Sequence, residues 1–270
     1  MHRKVLILRL RQDNAFEYGY NSITEMNGKH SEMLMDFGIL KLKKGMTEES
    51  SEDLERAYLL ISGSVTFQWE DNTQEVSRIN CFDVDPYCLH VPSGVTVKMT
   101  CNEDDTEISV QKTNNKKTFD SSFYAPGSVR SEMRGAGTMN EASTRNVRTI
   151  FDKTNAPDAN LVLGEVIGYP GKWSSYPPHH HPQPEIYFYK YNPSHGYSFS
   201  ELGEDVIKLQ ENDTVLIDGG LTHPQVVAPG YAVYYIWAIR HLDKEDYITP
   251  TFVDEHTWVM ESDAKIWPNK

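Results

Sequence analysis

From residue 30 to residue 113 apolar and polar side chains alternate in runs of a few residues, most of them closed by Gly, Asn, Asp or Ser, with almost no helical periodicity between them. Successive strand residues face opposite ways, so each run has one apolar face to hide. Many short strands hide such faces by packing sheet on sheet or by closing a sheet on itself. The chain is therefore expected to be all-β, a barrel or a sandwich. Within this region Ala57 to Trp69 reads as two strands joined by a turn at Ser62-Gly63. Residues 47–55, rich in Glu and Ser, read as a solvated loop.

A length of 270 residues allows one large domain or two of about 130, and either size buries a core. Residues 112–146 turn polar, rich in Asn, Lys, Thr and Gly, which divides the chain into 1–125, a linker at 126–155, and 156–270. A net charge of −13 argues against nucleic acid or an anionic membrane as partner. The apolar run at 5–8 ends at Arg9 and Arg11, short of a secretory signal, and no stretch approaches the ~20 apolar residues that span a bilayer. Cys81, Cys88 and Cys101 form no Cys-x-x-Cys spacing and read as reduced, buried thiols of a cytoplasmic protein.

The chemistry concentrates in Tyr176-Pro177-Pro178-His179-His180-His181-Pro182-Gln183-Pro184-Glu185. Strand alternation points His179 and His181 to one side and His180 to the other. The prolines end that strand, and Glu185 is expected to open a new one beside it. Downstream, a short apolar strand at 214–217 leads through Asp218-Gly219-Gly220 to His223. Three imidazoles and one carboxylate suit a borderline divalent metal, with His179, His181, Glu185 and His223 as ligands.

This set resembles the cupin signature, as His179-x-His181-x-x-x-Glu185 and Asp218-x-Gly220-x-x-His223, with Asp218 where proline is usual and Asn192 where the first motif usually closes with glycine. A worn copy of the same pattern lies in the first half, where Arg56 takes the position of the glutamate and Val97 that of the last histidine. The resemblance implies a bicupin of two jelly-roll barrels, the N-terminal one metal-free. The flank Trp173-Ser174-Ser175-Tyr176-Pro177-Pro178-His179 is similar to the 5-deoxy-glucuronate isomerase family of myo-inositol catabolism. Glu185-Ile186-Tyr187-Phe188-Tyr189 and Tyr235-Ile236-Trp237-Ala238 resemble its pectin-pathway sister, the 5-dehydro-4-deoxy-glucuronate isomerases.

The resemblance implies a metal-dependent aldose–ketose isomerase acting on a small open-chain deoxy-uronic acid, cytoplasmic and homo-oligomeric, with one divalent ion, zinc first and Mn, Fe or Ni as alternatives. Such a reaction moves a proton between adjacent carbons and needs a base; Glu165, His180 or a metal-bound water are the candidates. Arg148, Lys172 and Arg240 are candidate partners of the substrate carboxylate, and Tyr187, Tyr189 and Trp237 candidate contacts to the sugar. Two other readings use the same ligands: a cupin dioxygenase and a non-enzymatic sugar-binding cupin.

Overall fold

A computed structural model describes residues 9–268, so the apolar run at 5–8 lies outside the described residues. Regular structure is strand, apart from short 3-10 turns at Ser31–Met33, Met139–Glu141 and Asp254–Met260. No helix among the described residues is long and apolar enough to cross a membrane. The chain divides into two compact units, Asn14–Arg130 with Thr149–Leu163, and Ser131–Arg148 with Gly164–Lys270 and the N-terminal Met1–Asp13.

After β1 (Arg9–Leu10) come β2 (Gly19–Thr24), β3 (Asp36–Leu42), β4 (Thr47–Ser50), β5 (Glu55–Trp69), β6 (Asn72–Arg78), β7 (Tyr87–Val91), β8 (Val97–Cys101), β9 (Thr106–Thr113) and β10 (Ser122–Tyr124). β5 is a single 15-residue strand, not the two strands and turn expected from Ser62-Gly63. Its first half pairs with β7 and β9 and its second with β6 and β8, and the register slips between Leu60 and Ser62. Gly63 serves that bend: φ is +97°, and a Cβ there would lie 2.7 Å from Thr106 Cα. The acidic stretch expected as loop carries β4, paired with β8.

Inside this unit Leu40, Tyr58, Phe67, Val97 and Ile108 pack in one buried cluster. Arg56 is fully buried; its guanidinium donates to Ser50 Oγ at 2.7 Å, to the Leu54 carbonyl at 3.2 Å and to the Val95 carbonyl. His90 lies 2.9 Å from the buried Glu55 carboxylate and stacks on Phe151 with centroids 4.1 Å apart.

The second half of the chain holds β11 (Arg130–Arg134), β12 (Arg145–Phe151), β13 (Leu161–Gly168), β14 (Trp173–Ser174), β15 (His179–His180), β16 (Glu185–Asn192), β17 (Ser198–Leu202), β18 (Asp205–Leu209), β19 (Thr214–Ile217), β20 (Gln225–Val227), β21 (Ala232–Arg240) and β22 (Thr251–Phe252). One sheet runs β1-β19-β16-β21-β13-β12-β11, another β14-β20-β17-β18. They share one core, to which Val147, Val166, Tyr187, Tyr189 and Tyr235 contribute from the first and Leu202, Leu209 and Val227 from the second. The stretch 126–155 therefore contains two strands of a sheet. It reads as polar because β11 is an edge strand with four of its five residues exposed.

Register sets the floor of the site. Tyr187 stands opposite Trp237 and Val215, and Tyr189 opposite Tyr235. The rings of Tyr187, Tyr189 and Tyr235 lie 4.9 to 6.2 Å apart, and aromatic pairs in that range add about 0.5–1.5 kcal/mol each beyond their buried area. Glu185 opens β16 at the end of this aromatic ladder.

Candidate metal centre

β15 does not pair with β16. It pairs with β22, His179 opposite Phe252 and His180 opposite Thr251, so the expected hairpin of His179 and Glu185 strands is replaced by a bridge to the C-terminal segment. The prolines at 182 and 184 explain the change, because a backbone without N–H donors cannot hold the chain on its own predecessor. His181 is left in the loop between them, buried at 4% exposure. His223 arrives from the loop after β19, where the Gly220 N–H donates to the His181 carbonyl at 2.8 Å. A Cβ at Gly219 would stand 1.9 Å from the Pro182 carbonyl oxygen, so only glycine lets the two loops meet.

His181, Glu185 and His223 bring their ligand atoms within 4.8 Å of one another. His179 borders the group, its ring centroid 4.9 Å from that of His223. All three imidazoles are held the same way. The Nδ1 of His179 meets the Pro177 carbonyl at 3.1 Å, that of His181 the Gln183 carbonyl at 3.0 Å, and that of His223 the Leu221 carbonyl at 2.8 Å. A carbonyl only accepts, so each Nδ1 carries the hydrogen and each neutral ring presents a bare Nε2. The same carboxylate oxygen, Glu185 Oε2, lies 3.2 Å from His181 Nε2 and 3.4 Å from His223 Nε2. Lone pairs thus face lone pairs, and the buried His223 Nε2 has no hydrogen-bond partner. A divalent cation satisfies all of them at once, so these residues fit a metal ion.

The electrostatics agree. Burial, reinforced by His223, lowers His179 to about 4, and burial also holds His223 below its ordinary value. Burial opposes ionisation of Glu185, but the neighbouring imidazoles, His181 first, outweigh it and keep the carboxyl below the usual range. Neutral His179 and His223 rings beside an ionised carboxylate are the protonation states a metal needs.

His179, His181 and Glu185 line a cavity of 70 Å³ together with Arg134, Arg145, Ser174, Ser175, Tyr187, Tyr235, Trp237 and Tyr247. A second cavity of 350 Å³ shares Arg134, Arg145, His179 and Tyr247 with it. Ser174 and Tyr235 hydroxyls lie 2.5 Å apart, and those of Ser175 and Tyr187 3.2 Å. Burial pushes Tyr187 and Tyr235 upward, so both phenols stay protonated at neutral pH.

Of the residues singled out in the sequence, Tyr187 and Trp237 line this cavity with His179, His181 and Glu185. Tyr189 lies one layer deeper and is fully buried among Tyr187, Tyr191 and Tyr235. Glu165 and Arg148 face away from it. They form a buried ion pair, Nη1 to Oε1 at 2.9 Å, and Tyr234 donates to the other carboxylate oxygen at 2.9 Å. β13 is buried along its whole length, so Glu165 faces neither solvent nor this cavity. Lys172 is half-buried near the exposed Glu141, and Arg240 turns to the His241 carbonyl and to Asp243 at 3.6 Å. His180 is half-buried on β15, outside the cavity lining. The sequence reading missed Arg145, whose parity with Val147 along β12 could have revealed it, and Tyr247, which nothing in its local sequence marks.

Curled antiparallel sheets carrying a histidine–carboxylate group define a cupin-like protein. Solved structures share the fold: an oxalate decarboxylase–formate complex from Lactobacillus farciminis aligns with TM-score 0.69 at 10% identity, covering 94% of this chain and 90% of that one. An IolB-like protein from Salmonella typhimurium LT2 aligns with TM-score 0.84 at 22% identity, covering 94% and 99%. The KduI/IolB family matches residues 9–259, and the chain belongs to that family. It is similar to a 5-deoxy-glucuronate isomerase of Geobacillus kaustophilus (strain HTA426), 30% identical over 257 residues, covering 84% of this chain and 86% of the relative.

Proposed function

We propose that this chain is a metal-dependent aldose–ketose isomerase acting on a deoxy-uronic acid, 5-deoxy-glucuronate, in myo-inositol catabolism. The observation that carries the reading is the convergence of the His181, Glu185 and His223 ligand atoms, with His179 at their border, beside a cavity walled by hydroxyls. The names of the curated relatives support the substrate. His179, His181, Glu185 and His223 hold the ion, zinc by preference for three imidazoles and a carboxylate. A divalent ion there supplies Lewis-acid stabilisation of negative charge on the carbonyl and adjacent hydroxyl oxygens of an open-chain sugar.

The chain's own groups do the rest. Ser174, Ser175, Tyr187 and Tyr235 present hydroxyls to the sugar, and the raised phenols donate rather than accept charge. Glu165 is not in reach of the cavity, so the proton between adjacent carbons is moved within the lining itself. The Trp237 ring forms part of the wall. In the first unit, Arg56 and Val97 occupy the positions that a second centre would need, which supports reading that unit as a metal-free cupin barrel and the whole as a bicupin.

The test is a coupled assay for ketose formation from 5-deoxy-glucuronate, with metal content measured before and after chelation, and 5-dehydro-4-deoxy-glucuronate run in parallel. One ion per chain and chelator-sensitive turnover of the first substrate is the expected result. Turnover only of the second moves the chain to the pectin-type reaction, and oxygen consumption with Fe(II) and no isomerisation overturns the isomerase.

A further inference from the structure

Arg145 is 8% exposed and lines both cavities. Its Nη1 donates to the Ser143 carbonyl at 2.7 Å and to Ser143 Oγ at 2.9 Å. No carboxylate lies within ion-pair distance of it among the described residues, although Arg148, three residues on, has Glu165. Burial weighs against its charge, and so does the neighbouring Arg134. A guanidinium has five donors and cannot discharge itself by losing a proton, so burying one without a counter-ion is costly. Arg56 escapes that cost by spending its donors on carbonyls and a hydroxyl; Arg145 satisfies only Nη1. Arg134, half exposed and already paired with Glu132 at 2.8 Å, stands in both linings as a second positive charge.

We propose that Arg145, seconded by Arg134, is an anion subsite that takes the carboxylate of the acid sugar whose other end meets the histidine–carboxylate centre. This deepens the isomerase reading and rests on it for the identity of the sugar. The free edge of the guanidinium matches a carboxylate in two parallel N–H···O bonds, which orders the chain of the substrate as well as attracting it. It also gives the pocket a means of refusing neutral sugars, because an unpaired buried guanidinium is left behind when they bind.

The experiment is calorimetric titration of the full chain, at measured metal content, with D-gluconate, a sugar acid with no carbonyl to isomerise, and with the neutral polyol sorbitol. Arg145→Met keeps most of the apolar stem and Arg145→Lys keeps the charge without the fork. The expected result is D-gluconate affinity weakened about 10- to 100-fold in Arg145→Met and less in Arg145→Lys, with sorbitol binding tightened, not weakened, in Arg145→Met. Equal D-gluconate affinity in wild type and either variant overturns the subsite. Should Arg145→Met lose metal or fold poorly, Arg145→Lys and Arg134→Met decide the matter by the same comparison. Arg145-dependent D-gluconate binding in a protein that does not isomerise 5-deoxy-glucuronate would retire the isomerase and keep the subsite. Isomerisation with unchanged D-gluconate binding in the variants would do the reverse.

Discussion

Glu165 is the residue on which two accounts of the chain divide, and the buried pair with Arg148 lets them be separated. If the carboxylate holds sheet structure, Glu165→Leu takes the Glu165 carboxylate away from a guanidinium at 6% side-chain exposure. Breaking a buried ion pair by removing one partner costs about 3–5 kcal/mol, and neither side chain is exposed enough for solvent screening to reduce that. For a domain of this size each kcal/mol moves the melting midpoint by roughly 2–4 °C, so a fall of about 6–20 °C is expected. Arg148→Met should cost a similar amount. The double variant, with apolar groups on both sides, should recover most of the loss, because the desolvation of both charges disappears with them. Thermal unfolding by circular dichroism gives the four corners of the cycle, and kcat measured well below each midpoint gives the second axis. Turnover per folded molecule should stay within a few-fold of wild type. A 100-fold fall in kcat with an unmoved midpoint would refute the placement of Glu165 outside the chemistry.

His181→Ala should abolish stoichiometric metal binding, since it removes one Nε2 from the group and its carbonyl-anchored ring cannot be replaced by a neighbour; elemental analysis checks it. In chelator-treated protein the depressed imidazoles predict acid lability. A histidine at about 4 in the folded state and 6.5 unfolded contributes up to ~3 kcal/mol that is whole above pH 6.5 and lost as pH falls toward 4. Glu185 adds its share above the ordinary carboxylate value and loses it further down, so both run the same way and melting midpoints across pH 4–7 should fall monotonically with acid. Gly164→Ala places a Cβ 2.5 Å from the Trp237 indole, an overpacking worth about 1–3 kcal/mol. The ring can yield only by shifting in the cavity wall, so KM for the sugar should rise and tryptophan fluorescence change; unchanged values for both would show that the backbone absorbs the methyl.

The grouping of His181, Glu185 and His223 was legible because spacing along a few residues brings it about: His181 and Glu185 are near neighbours in sequence, and Gly219-Gly220 announces the tight approach that delivers His223. The partner of β15 was not legible, since β22 lies 70 residues downstream and two residues of pairing leave no pattern. The continuity of β5 was hidden because a glycine at a bulge looks like a glycine in a turn until the register of β6 and β8 is known.

The two arginines show what a strand buried on both faces withholds and what it still permits. Leu161–Gly168 has no alternation, because all eight residues are buried, so the sequence gives no sign of which side of β13 faces the cavity. A carboxylate in such a strand nevertheless needs an equally buried cation nearby, and β12 offers two at opposite parity. Arg148 meets Glu165, which places Val166 and Val147 together on the other face. Arg145 shares that face with Val147 and finds no acid among the described residues. Within one sheet, then, pairing off the internal charges leaves a single buried guanidinium over among the described residues, on the side where the histidine–carboxylate group lies. Arg145 and the residues His179, His181 and Glu185 line one cavity, and a molecule bearing a carboxylate at one end and oxygen ligands at the other answers both.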